Sequence, residues 1–271
     1  MKCVFHTSSK VSNAASPGTA KCSVAVVRLL TVLTAGTLFW PSFATATSVV
    51  ALIDNRNHRV VIAADCRVNR QLVSLSECKI IEEPGCTVAI AGLYRENATA
   101  FSLRRFVDDA CRYHGDLREK AEAFLRLSRK PYETAVHHIR ETDPSEFSRT
   151  IENKPTEVIF AGLLKGHVTL FVRGFVADAQ GKISTERYES SDTPNSSIGY
   201  FVGLNGRIRE RVKPFSQWER LGYAEAARQF VEMEISANPE LAGLPISELE
   251  IDGHGTVHWI SRGACDTRES D

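Results

Sequence analysis

Phe43-Ala44-Thr45-Ala46-Thr47-Ser48-Val49-Val50 joins two unlike kinds of sequence. On its left, Ala44-Thr45-Ala46 has the small-x-small form that signal peptidases cut. On its right, Thr47 opens a β-branched run that reads as a strand. A cut after Ala46 leaves threonine as the first residue. A free N-terminal threonine carries a hydroxyl nucleophile and an amine base on one residue. A cut after Ala44, with Ser42 at the small position, would expose Thr45 instead.

Upstream, residues 1–28 are polar, Ser/Ala-rich and weakly basic. Residues 29–40 (LLTVLTAGTLFW) form a short apolar run. It suits the apolar region of an export signal and falls short of the roughly 20 residues of a membrane span. Residues 1–46 therefore read as a leader that is removed, and the mature chain as exported to the periplasm or beyond, with no stable membrane span after the cut. An uncleaved membrane anchor is the rival reading of the same run.

The chain has 271 residues, so 225 remain after residue 46, enough for one large domain. Composition is that of a globular protein, 43% hydrophobic and 24% charged. The leader holds four bases and no acid, which leaves the rest with 29 bases against 33 acids. No basic block argues for a nucleic-acid partner. Five cysteines follow the leader: Cys66, Cys78, Cys86, Cys111 and Cys265. An odd number without CxxC predicts neither a zinc site nor a regular disulfide framework. Cys78 and Cys86 flank an expected turn and are one candidate pair. The eight histidines show no ligand spacing, so no metal and no cofactor is assigned.

Downstream of Thr47, residues 48–53 and 59–64 are β-rich runs around a polar loop at 54–58, and 79–81 and 86–91 are two more. Helical spacing follows in 96–112 and again in 117–140, where Pro131 is expected to kink or split the helix. Asp143-Pro144 is read as its end. Strands resume at 156–164, 167–176, 182–189 and 198–202. A helix is expected over 216–236, then a hairpin of 246–251 and 256–261 about Asp252-Gly253-His254-Gly255, and a frayed tail. The order of strands, helices, strands, helix, strands predicts two packed sheets with helices outside.

Four segments in order now carry a resemblance. Thr47-Ser48-Val49-Val50-Ala51, Val60-Val61-Ile62-Ala63-Ala64-Asp65-Cys66-Arg67, Lys79-Ile80 and Ala89-Ile90-Ala91-Gly92-Leu93 resemble the β-type subunits of the proteasome and its bacterial relatives, which are N-terminal-nucleophile (Ntn) hydrolases. The likeness continues in 158–163, the 203–206 turn and Gly243-Leu244-Pro245-Ile246. It implies an α+β, four-layer αββα sandwich over residues 47–264, with 265–271 a flexible tail. It also implies a threonine-type peptidase or amidohydrolase, a peptide or amide substrate, and possible homo-oligomers. Thr47 would be the nucleophile and its own amine the base. Lys79 would lower the pKa of that amine by like-charge repulsion, Asp65 would hold Lys79, and Gly92 N–H would donate to the oxyanion. Val68, Ile81 and Ile90 fall near the family's specificity pocket; all are apolar, which favours a medium apolar residue before the cut.

This sequence departs from the family in two places. The family has a serine in the 203–206 turn that supports the threonine amine, where this chain has Leu204 and Asn205. The family also has an aspartate and a serine ahead of the Gly243 region. Asn238 and Glu240 are the candidates to stand in for them. A small-amide acylase and a catalytically silent subunit are the competing functions. Cys66, beside Asp65, is either a buried inert thiol or a redox-sensitive one.

Overall fold

The computed structural model describes residues 43–46, 48–70, 73–190, 197–211 and 216–266, with 43–46, 68–70, 73–75, 216–217, 264 and 266 described by backbone alone. Thr47 and residues 1–42, which hold most of the expected leader, lie outside the described residues. The described residues belong to one compact unit.

In chain order the strands and helices are β1 (Phe43–Ala46), β2 (Ser48–Asp54), β3 (Arg59–Asp65), β4 (Arg67–Arg70), β5 (Val73–Ser76), β6 (Ile80–Glu83), β7 (Cys86–Glu96) and β8 (Phe101–Ser102). Then come α1 (Leu103–Cys111), α2 (Leu117–Thr142) and α3 (Pro144–Thr150), followed by β9 (Pro155–Leu164), β10 (His167–Ala177), β11 (Ile183–Glu189) and β12 (Ser197–Gly203). Helices α4 (Gly206–Arg211), α5 (Ser216–Leu221) and α6 (Tyr223–Ala237) precede β13 (Ile246–Ile251), β14 (Val257–Ser261) and a 3-10 turn at Gly263–Asp266. One sheet runs β11-β10-β9-β7-β1-β4-β5, with β6 and β8 also paired to β7; the other runs β12-β2-β3-β13-β14. The named ladders within both sheets are antiparallel.

Strand β2 lies between β12 and β3, and every one of its residues is buried. A strand covered on both faces reads as an unbroken apolar run, which is why 48–53 and 59–64 stand out in the sequence. Val49, Ala51 and Ile53 pack with Ala89, Ala91, Ile159 and Val172, filling the space between the sheets. Val50 and Leu52 pack with Trp218, Ala227, Phe230 and Val231 of α5 and α6. On the other sheet Ile90, Val158, Phe160 and Phe171 pack with Val107, Phe124, Tyr132 and Val136 of α1 and α2. The protein is thus a mixed α/β molecule whose two antiparallel sheets share a core and carry helices outside.

Local chemistry explains several boundaries. Buried Asp54 closes the β2–β3 loop, accepting from Asn57 N–H at 3.2 Å and Arg59 Nε at 3.2 Å. Asp116 caps α2 with Glu119 in a reciprocal capping box. Asp252 accepts from the N–H groups of His254 and Thr256 at the turn of the last hairpin.

The structure corrects several expectations. Helix α2 runs unbroken through Pro131; the carbonyl that loses its donor belongs to Leu127, which is 43% exposed, so water can satisfy it. Asp143-Pro144 does end α2, as expected, but a further short helix follows at once: the Asp143 carboxylate takes Glu146 N–H at 3.0 Å and starts α3. The helix expected from residue 96 begins at Leu103, because β7 continues to Glu96 and β8 pairs back on it. The helix expected over 216–236 breaks at Gly222, where φ is +84°. Cys78 pairs with Cys265, and Cys86 with Cys111, rather than Cys78 with Cys86. The first bridge also pins the chain end at Cys265, so Gly263–Asp266 forms a 3-10 turn where a frayed tail was expected.

Candidate active site

Strand β1, ending at Ala46, lies in one sheet, and β2, starting at Ser48, lies in the other. Ala46 stands opposite Gly92 on β7, and Gly203 of β12 stands opposite Ser48. One residue, Thr47, separates Ala46 from Ser48; as the expected nucleophile it lies outside the described residues.

Asp65 ends β3 beside Ser48, and its side chain is fully buried. One carboxylate oxygen accepts from Ser48 N–H at 2.9 Å and from Lys79 Nζ at 2.9 Å. The other accepts from Arg67 N–H at 3.2 Å and Gly243 N–H at 3.2 Å. A carboxylate offers about four lone-pair sites, and four donors fill them here. Lys79 is also fully buried. A buried ion pair this dry persists only when further hydrogen bonds satisfy its members, which the three N–H groups do for Asp65. Lys79 reaches the site because its own carbonyl takes Ile90 N–H at 3.0 Å just before β6 begins.

Gly243 was not foreseen as a part of this cluster. The Gly243-Leu244-Pro245 segment brings its backbone in from the far end of the chain, and the Pro245 carbonyl takes Cys66 N–H at 3.0 Å. A Cβ on Gly243 would stand 2.8 Å from Arg67 Cδ, so the close approach needs glycine. Arg67 also donates to the Pro239 carbonyl, bracing this loop.

Gly92 has φ of +98°, and a Cβ there would lie 2.5 Å from Thr156 Cα. Strand β9 passes directly beneath it. Thr156 Oγ1 accepts from Leu93 N–H at 2.9 Å and from the Tyr132 hydroxyl at 3.2 Å. Burial pushes the Tyr132 hydroxyl up to about 12, so it stays a proton donor.

Glu157 is a further buried carboxyl at this end. Its strand position pairs with Ala91, the neighbour of Gly92, and it accepts a hydrogen bond from Gly203 N–H. Burial, then repulsion from Glu186, raises its pKa to about 7, with Gly203 N–H and Arg209 acting the other way. No motif marks it: it is the one charged residue in its strand.

The remaining expected site residues are placed as follows. Ile90 is fully buried and Ile81 nearly so, both in the core under α1 and α2. Val68 lies on β4, with its side chain outside what is described. Asn205 donates to the Phe201 carbonyl at 2.9 Å, and Asn238 donates to Glu234 Oε2 at 3.1 Å, so each is engaged in holding its own segment. Among the described residues no group of three or more His, Cys, Asp or Glu side chains is placed to hold a metal ion, and no helix is long and apolar enough to cross a membrane.

No protein-family model matches the chain, and no curated protein matches its sequence.

Proposed function

We propose that the chain is a threonine-type Ntn hydrolase with an αββα sandwich, cutting peptide bonds through an acyl ester on Thr47 once the leader is removed. The observation that carries this reading is the Asp65–Lys79 pair. It is buried, four-fold satisfied, and bonded to the N–H that immediately follows Thr47.

The chemistry follows from that placement. After a cut between residues 46 and 47 the Thr47 amine is free. It takes the hydroxyl proton as Oγ1 attacks a peptide carbonyl. The Lys79 charge disfavours a second positive charge nearby, which keeps the amine a base near neutrality. Gly92, opposite Ala46, is the expected oxyanion donor. Collapse releases the leaving amine with the proton and leaves the ester, which water hydrolyses.

A peptide fits better than a small amide. Strand β1 lies between β7 and β4 with backbone pairing on both sides. A chain segment ending at the cut is thus held as an extended strand, the form in which a substrate peptide adds to a sheet. The two disulfides support export, because such bridges persist in oxidising compartments.

The test is the mature N-terminus together with one variant. Intact mass should show a chain that starts at Thr47, and Thr47→Ala should abolish both peptidase activity and labelling by an epoxyketone or β-lactone probe. A mature chain starting elsewhere, or a fully active Thr47→Ala protein, refutes the reading.

A further inference from the structure

Cys66 carries the free thiol found among the described residues, and it is fully buried. Its sulfur lies 3.0 Å from Ser247 Oγ. The same oxygen lies 3.2 Å from the sulfur of Cys265, which is bridged to Cys78. Ser247 gives its own proton to the Arg262 carbonyl at 2.7 Å. A hydroxyl has one proton to give, so the Cys66 thiol is the donor to Ser247. A thiol and a disulfide sulfur therefore rest on one hydroxyl oxygen.

The fold builds this contact. Ser247 sits on β13 opposite Ala64 of β3, two positions before Cys66 in the sequence. The 3-10 turn packs onto the same spot: a Cβ on Gly263 would stand 2.7 Å from Ser247 Oγ, and Gly263 has φ of +53°. That approach seats Cys265 over β13. The sulfurs also border the candidate active site in sequence, for Cys66 follows Asp65 and Cys78 precedes Lys79.

We infer that Cys66, Ser247 and the Cys78–Cys265 bridge form a thiol–disulfide exchange centre, in which Cys66 displaces Cys78 from Cys265. The Cys66 sulfur forms a bond to the Cys265 sulfur. The Cys265–Cys78 bond breaks, and its electron pair leaves on Cys78. The proton lost by Cys66 ends on Cys78. The step is an isomerisation and needs no outside oxidant or reductant. It ties the neighbour of Asp65 to the chain end and frees the neighbour of Lys79. The two partners of the ion pair are then anchored differently in the two isomers. The exchange stands without the hydrolase reading; only its regulatory consequence rests on that reading.

The experiment uses the folded full chain, incubated without added thiol at mildly acidic pH and at about pH 8.5, near the ordinary thiol pKa. Samples are acid-quenched, alkylated and mapped without reduction. The expected result is a Cys66–Cys265 peptide with alkylated Cys78 that grows several-fold faster at the higher pH and is absent in Cys66→Ser. Finding Cys265 joined to Cys78 alone at both pH values, with circular dichroism showing a native fold, overturns the exchange. A threonine-directed probe on the same samples should label the two isomers to different extents. Equal labelling removes the regulatory role, whereas no labelling of either isomer counts against the hydrolase reading and leaves the peptide map to decide the exchange.

Discussion

The Asp65 carboxylate and the Lys79 ammonium meet at 2.9 Å with neither side chain exposed. In water such a pair contributes little; in this dry setting removing either partner leaves the other buried without its counterpart.

Lys79→Ala should therefore destabilise the protein by about 3–5 kcal/mol, because it strands a buried carboxylate. Asp65→Asn should cost a comparable amount by stranding the ammonium. The double variant should cost less than the two combined, and urea unfolding of the three proteins reads the coupling. Strict additivity would show that the pair carries no mutual energy.

Stability should fall as pH rises through neutrality. Glu157 keeps its proton in the folded state up to about 7, against an ordinary value of 4.5. Between those values the folded state binds the extra proton, so the stabilisation is complete below about pH 4.5 and is lost as pH rises through 7. The fall amounts to up to about 3 kcal/mol for such a shift. Glu157→Gln should flatten the curve of denaturant midpoint against pH. Glu248, also raised to about 7 by burial against the pull of Arg228, supplies a second, separable part. An unchanged slope in both glutamine variants would remove these groups as its source.

Gly92→Ala should cost roughly 2 kcal/mol or more, since it adds backbone strain to a direct clash with β9. Thermal melting measures it. If Thr47 is labelled in the wild type, labelling should also drop, because the strand opposite Ala46 has shifted.

Replacing Cys86 and Cys111 together by serine should lower stability by about 3 kcal/mol, the loop-closure value for a bridge of this span. The two cysteines are 25 residues apart and join β7 to the end of α1. Guanidinium unfolding of oxidised and double-serine proteins is the comparison, and identical midpoints would contradict it.

Much of this was legible in the chain and some was not. The β2–β3 pair announced itself because strands buried on both faces are written as apolar runs. Asp65 and Lys79 were singled out by the resemblance, as matches to the family's acid and lysine, and the fold brings them into contact. Gly243 was noticed, but not that its N–H would complete the Asp65 carboxylate. That bond spans most of the chain, and local patterning carries no record of it. The disulfides escaped for the same reason: spacing cannot say which cysteines meet. Helices α3 and α4, with 7 and 6 residues, are too short for a period to emerge. Pro131 misled because proline was weighed without knowing which side of the helix faces water.

The sheet order has one last consequence. The β4–β5 hairpin joins its sheet through β1 and no other strand on the path. A cut after Ala46 that lets residues 43–46 depart would untether that hairpin. Two strands alone are marginal in water, so strands β4 and β5 would become a flap with unpaired backbone on the side it lost. Maturation would then loosen the molecule as it opens it, and amide exchange in this hairpin should quicken until another extended chain takes the vacant lane.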